Sequence, residues 1–205
     1  MKNKIIDYLN ELINNPKSEL NYNHDYELLI SVMMSAQTTD KRVNQVTSVL
    51  YKKYNSLEKL SKANLDDVKN IIKSVGTFNK KAVNVIEIAK KLAPIGYVPN
   101  DRNFLESLPG VGRKTTNVVL GIIYNEQVIA VDTHVKRVAI RLGIAEESDD
   151  VLKVEKKLTK YFKGNNLIDI HHKILLFGRY YCTARNPKCD NCKLRDMCKY
   201  YNNMI

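Results

Sequence analysis

The chain has 205 residues, 44% of them hydrophobic and 27% charged, which suits one ordinary domain or two small ones and excludes a disordered chain. Its 33 Lys and Arg against 22 Asp and Glu give a formal net charge of +11, an excess that favours a polyanionic partner, most commonly nucleic acid. In the N-terminal MKNKIIDYLNEL, Asp7 and Glu11 interrupt any apolar run, so no signal peptide is expected, and no stretch has the apolar length a bilayer requires. The expectation is a cytoplasmic, DNA-associated protein with no membrane partner, whose cysteines stay reduced.

The apolar pattern is helical nearly throughout, and the fold class it predicts is all-α. Residues 26–34, YELLISVMM, are apolar on almost every face and predict a buried central helix. Asp40 is placed to cap the next helix, with its stripe Val43, Val46, Val49 and Leu50. Leu65, Val68, Ile71, Ile72 and Val75 repeat the spacing, and Gly76 stands where a C-terminal cap belongs. Asn79 opens another helix carrying Val83, Ile86, Ala89 and Leu92, and Pro94, Gly96 and Pro99 mark a loop. A short helix over 101–107, a tight turn over 108–112 and a helix over 113–124 follow, then helices at about 132–142, 149–162 and 165–181. QVIAV, 127–131, reads more readily as a buried connector than as a strand.

The most informative stretch is Leu108-Pro109-Gly110-Val111-Gly112-Arg113-Lys114. Gly110 and Gly112 let the backbone turn sharply and approach a ligand, and the following helix offers unpaired N–H groups and its dipole to a phosphate. A helix precedes the turn and the Walker spacing is absent, which argues for a helix-hairpin-helix gripping a DNA backbone rather than a nucleotide loop. Lys114, in the first turn, faces the positive end of the dipole; that field and partial burial are expected to lower its pKa and make it a usable amine nucleophile. Asp132 stands where an N-cap belongs. The helix 113–124 is about 18 Å long, and the connector from Tyr124 to Asp132 spans about 26 Å when extended. The chain is therefore long enough to return Asp132 beside Lys114, where a carboxylate could orient or deprotonate the amine and stabilise positive charge on a sugar.

Cys182, Cys189, Cys192 and Cys198 have the spacing C-x6-C-x2-C-x5-C in a basic segment with Arg185, Lys188, Lys193, Arg195 and Lys199. A four-cysteine zinc site usually shows two C-x2-C knuckles, and only one is present; a cubane cluster suits a single wrapping loop. Spacing alone leaves iron–sulfur and zinc both open, with disulfides a distant third.

Together these stretches resemble the endonuclease III family of helix-hairpin-helix DNA glycosylases over nearly the whole chain. LPGVGRKT (108–115), VDTHVKRV (131–138) and the cysteine pattern match in order and separation, and SAQTTD (35–40) and GRYYCTAR (178–185) add weaker matches. The resemblance implies a six-helix domain at about 18–126, with the hairpin motif at about 101–124, and a second helical domain built from 1–17 and 127–205 that carries a [4Fe–4S] cluster. DNA would lie across a cleft between them. It implies a bifunctional DNA glycosylase/AP lyase of base excision repair, acting as a monomer on double-stranded DNA that contains damaged pyrimidines or abasic sites. In that reading Lys114 attacks C1′ of a flipped-out oxidised pyrimidine nucleotide, forms a Schiff base, and β-elimination cuts the strand 3′ to the lesion. Asp132 matches the family's catalytic aspartate, and Cys182, Cys189, Cys192 and Cys198 match its cluster ligands. Arg185 and Lys188 lie in the DNA-contacting loop, Gly110, Gly112 and Arg113 in the hairpin, and Gln37 matches the residue that fills the hole left by the flipped base.

The chain departs from the pattern at two positions. Thr77 stands where relatives often carry a larger apolar wedge, so Phe78 or a neighbour is expected to share that task, and Lys173 stands where an aromatic residue is expected. His134 matches the family, and packing or a helix-start hydrogen bond accounts for it as well as catalysis does. Three other readings compete. A monofunctional helix-hairpin-helix glycosylase generally lacks the lysine at 114. A non-enzymatic iron–sulfur redox sensor needs no Lys114–Asp132 pair. A zinc-stabilised nucleic-acid-binding module would contain no iron.

Overall fold

In the computed structural model, which describes residues 1–203, the chain is helical and no strand occurs among the described residues. The helices in chain order are α1 (Lys2–Leu12), α2 (Asp25–Met34), α3 (Asp40–Lys53), α4 (Leu57–Ser61), α5 (Leu65–Ile72), α6 (Phe78–Leu92), α7 (Arg102–Glu106), α8 (Arg113–Tyr124), α9 (Thr133–Arg141), α10 (Val151–Tyr161), α11 (Leu167–Tyr180) and α12 (Lys199–Asn202), with a 3-10 turn at Arg195–Met197 before the last. They fall into two units, one of residues 18–124 and one of residues 1–17 with 125–203. No described helix is long and apolar enough to cross a membrane.

The unit of residues 18–124 forms around α2. Every residue from Tyr26 to Met34 is buried, as a helix apolar on all faces requires, and α3, α6 and α8 pack on it. Leu28, Leu29, Ile30 and Met34 are less than 2% exposed and meet Leu50, Leu60, Ile72, Ile88 and Leu92 in one core. Each such side chain contributes about 1.5–3 kcal/mol by leaving water. Capping differs from expectation at two points. Thr39, not Asp40, is the N-cap of α3, its Oγ1 accepting from Arg42 N at 3.3 Å; Asp40 instead supplies negative charge in the first turn. Helix α5 ends at Ile72, four residues before Gly76, and Gly76 has no positive φ. A β-carbon there would be in ordinary contact with the Gln37 carbonyl oxygen, at 3.4 Å. The short α4, capped by Ser56, went unread because five residues carry too little period.

The other unit has its own core, with Ile5 and Leu9 of α1 meeting Val135, Val138, Val154, Leu158, Phe162, Ile170 and Ile174. Gly178 lets α11 approach α9, since a β-carbon there would stand 3.1 Å from His134 Cβ, His134 O and Val138 Cγ2. Lys173 is buried where an aromatic residue was expected; its ammonium reaches Asp169 Oδ2 and Asn10 Oδ1, each at 2.6 Å, and so ties α1 to α11. Residues 125–132 run without regular structure, with Ile129, Ala130 and Val131 buried, so the segment is a buried connector.

Candidate functional site

The hairpin is built by α7, a turn and α8. Asp101 caps α7 by accepting from Phe104 N at 3.1 Å, and Val111 N donates to Leu108 O at 3.1 Å to close the turn. Gly110 has φ +78°, and a β-carbon on it would lie 2.5 Å from Asn84 Nδ2. Gly112 has no positive φ and no atom within 4 Å of its β-position, so the conformational demand rests on Gly110, while Gly112 leaves open space beside the helix end. Gly112 O accepts the first helical bond, from Thr116 N at 3.0 Å, and no acidic residue stands in the first turn of α8. A helix end without an acidic side chain of its own suits an external anion. Arg113 and Lys114 are the first two residues of α8 and both are exposed, so the expected partial burial of Lys114 is not met.

Two further exposed residues of the same unit, Gln37 (φ 56°) and Thr77 (φ 55°), sit in the left-handed region. That conformation is uncommon for any side chain and a genuine outlier for a β-branched one. Strain of this kind gathers at functional sites. Phe78, beside Thr77, is half-buried and packs against the core. Lys81, from the first turn of α6, is buried and unforeseen from sequence: its ammonium donates to Met34 O at 2.8 Å and Ala36 O at 2.6 Å. Burial holds that ammonium below its ordinary pKa.

In the other unit Asp132 is the N-cap of α9, with Oδ1 accepting from Val135 N at 2.8 Å. One carboxylate oxygen thus fixes the group at the helix start. His134 Nδ1 lies 3.2 Å from Arg137 Nη2, a helix-start contact. The four cysteines are unpaired and half-buried around a cavity of about 240 Å³. Among the described residues no three Cys, His, Asp or Glu side chains converge on one point as a single ion requires. Burial first, and then the neighbouring thiols, push the Cys189 and Cys192 pKa values up. Thiolates crowded in this way are stabilised by a cationic group between them, which is the donor chemistry iron requires. Arg141 adds positive charge from the side, with Nη1 3.3 Å from Cys182 Sγ and 2.7 Å from Thr183 O, and its guanidinium 4.1 Å from the Tyr200 ring centre. Tyr8 donates to Asn191 O at 3.2 Å and Lys193 pairs with Glu11 at 2.6 Å, so α1 braces this loop. Arg185 and Lys188 are exposed on it, Lys188 Nζ lying 5.1 Å over the Tyr181 ring.

An all-helical chain with a glycine hairpin opening a helix and a four-cysteine loop defines a helix-hairpin-helix protein with a metal-cluster tail. Comparison with known proteins agrees: the family model described as the HhH-GPD superfamily base excision DNA repair protein matches residues 30–164, and that for the iron-sulfur binding domain of endonuclease III matches 182–198. Endonuclease III of Rickettsia felis is 44% identical, covering 99% of this chain and 96% of its own, and that of Escherichia coli K12 is 43% identical, covering 96% and 94%. A structure of a trapped endonuclease III–DNA covalent intermediate superposes with a TM-score of 0.93 at 38% identity, covering 100% of this chain and 98% of the other. A thermostable thymine-DNA glycosylase shares the fold, with a TM-score of 0.86 at 22% identity.

The chain belongs to the endonuclease III family. It is a bifunctional DNA glycosylase/AP lyase of base excision repair, its partner is DNA, and its cofactor is a [4Fe–4S] cluster.

Proposed function

We propose that Lys114 is the nucleophile of this enzyme, that Asp132 assists it, and that the substrates are oxidised pyrimidines and abasic sites in duplex DNA, met by a monomer. The observation that carries the reading is the place of Lys114: exposed, second residue of α8, directly after a hairpin whose helix end is open to a phosphate. The neutral amine attacks C1′ of the flipped nucleotide, the N–C1′ bond forms as the glycosidic bond breaks, and the base leaves with a proton. Ring opening gives a protonated Schiff base; loss of the C2′ proton then expels the 3′ phosphate by β-elimination. Asp132, held by its cap bond, accepts the ammonium proton and stabilises positive charge as it develops on the sugar.

Gly110, Gly112 and Arg113 hold the phosphates beside the lesion, while Gln37 and Thr77 occupy the space the flipped base leaves. Cys182, Cys189, Cys192 and Cys198 hold the cluster, whose contribution when bound is to brace the loop. Arg185 and Lys188 on that loop take further phosphates. A panel of duplexes, each carrying one oxidised pyrimidine, one abasic site or no lesion, tests the reading. Base release with a coupled nick is expected for the oxidised pyrimidines, a nick alone for the abasic site, and neither for undamaged DNA. Base release without a nick at any lesion would contradict it.

A further inference from the structure

The two strained residues assigned to lesion reading are joined through a third that has no charged partner among the described residues. Lys81 sends its ammonium into the turn after α2, donating to Met34 O at 2.8 Å and Ala36 O at 2.6 Å, with Thr38 Oγ1 at 3.4 Å. Those three acceptors match the three donors of an ammonium, and they bracket Gln37 on both sides. The Met34 carbonyl also belongs to the C-terminal end of α2, where a cation is favoured. The backbone N–H of the same Lys81 donates to Thr77 O at 3.1 Å, the first bond of α6. Gly76, beside Thr77, lies against the same turn: its β-position is 3.4 Å from Gln37 O and 3.7 Å from Thr38 Oγ1. A buried lysine held only by main-chain and hydroxyl oxygens is costly for the fold, and a purely apolar side chain would fill the space at less desolvation cost. What the ammonium supplies, and an apolar chain cannot, is a fixed turn at Gln37 in register with Thr77.

We propose that Lys81 is a positioning residue that locks Gln37 and Thr77 into one rigid element for reading the lesion, acting on base excision through Gln37 rather than on the chemistry at the sugar. The proposal rests on the reading of Gln37 and Thr77 given above. A preformed abasic site has no base to unstack, so it depends less on that element. Lys81→Met, which keeps the length and removes the donors, should lower kcat/KM for excision of an oxidised pyrimidine by about tenfold or more, and strand cleavage at a preformed abasic site by a clearly smaller factor. Gln37→Ala should lower excision similarly, and the double variant should be no worse than either alone. Hydrogen exchange supplies a readout free of catalysis: amides of residues 35–38 should exchange faster in Lys81→Met while those of 113–124 are unchanged. Should Lys81→Met fail to fold, Thr38→Ala, which removes one acceptor and leaves the core intact, should speed exchange in the same segment and lower excision in the same direction.

Losses that multiply in the double variant, equal losses on both substrates, or unchanged exchange over 35–38 would each overturn the proposal. A wild-type protein that releases no base would instead overturn the functional reading, and the exchange result would still decide this one.

Discussion

A β-carbon on Gly110 would stand 2.5 Å from Asn84 Nδ2 and 3.3 Å from Met33 Cγ, in a backbone held at φ +78°. The hairpin is therefore seated on α2 and α6 by a residue that no other side chain can replace without displacing a buried neighbour. Gly110→Ala should cost about 1–2 kcal/mol from the left-handed conformation alone, with the clash in addition, and should weaken duplex binding. Gly112→Ala meets open space and should keep stability within about 0.5 kcal/mol of wild type while still weakening binding, because on the proposed reading the added methyl stands where a phosphate approaches. Thermal melts and fluorescence anisotropy on one duplex separate the two effects. A Gly112→Ala protein that binds like wild type would remove Gly112 from the interface.

Asp132 is a cap in the structure and a catalytic group in the proposal, and substitution can divide the two. Asparagine caps a helix about as well as aspartate, so Asp132→Asn should keep stability within about 0.5 kcal/mol and lose about 10²- to 10⁴-fold in single-turnover excision. Asp132→Ala should lose activity similarly and a further ~1 kcal/mol of stability. Full activity in Asp132→Asn would leave the residue as a cap alone.

Asp149 provides the pH dependence of stability. It is buried at 1% exposure, and the Glu146 N–H, then Lys157 and Lys153, hold its carboxyl well below the ordinary carboxylate range. A depressed pKa stabilises the fold above the unfolded-state value near ~3.9 and loses that contribution as pH falls toward the folded value. Asp149→Asn should therefore melt lower than wild type at neutral pH, with the gap shrinking as pH falls below about 4. A gap that widens on acidification would contradict the assignment.

Arg141 shields the cluster loop through Cys182 Sγ and three backbone carbonyls. Arg141→Met should remove donors from the half-buried Cys182 Sγ and Thr183 O and leave the thiolate unshielded. The expected result is less iron per chain and faster bleaching of the brown protein in air; wild-type iron content and bleaching rate would show that the guanidinium only packs.

How much of this was legible beforehand depends on how local each signal is. The hairpin at 108–114 and the four cysteines are written in contiguous residues, and the buried α2 shows in its unbroken apolar run. Asp132 as an N-cap followed from its place before a helical period. Lys81 was illegible because its partners lie at 34–38 and are main-chain oxygens, which carry no sequence signature; on the helix pattern alone it reads as one more surface lysine. Gly76 was misplaced as a cap for a similar reason, since its neighbour is the carbonyl of Gln37 rather than the end of α5. The exposure of Lys114 was missed because helix position fixes the field a side chain feels, not the depth at which it lies.

The nucleophile is tested most directly by borohydride trapping, because only a Schiff base is reduced to a stable covalent link. Wild-type protein incubated with oxidised-pyrimidine duplex and borohydride should give a covalent protein–DNA species, and Lys114→Gln should give none while still binding the duplex. Undiminished trapping in Lys114→Gln would show that another amine does the chemistry.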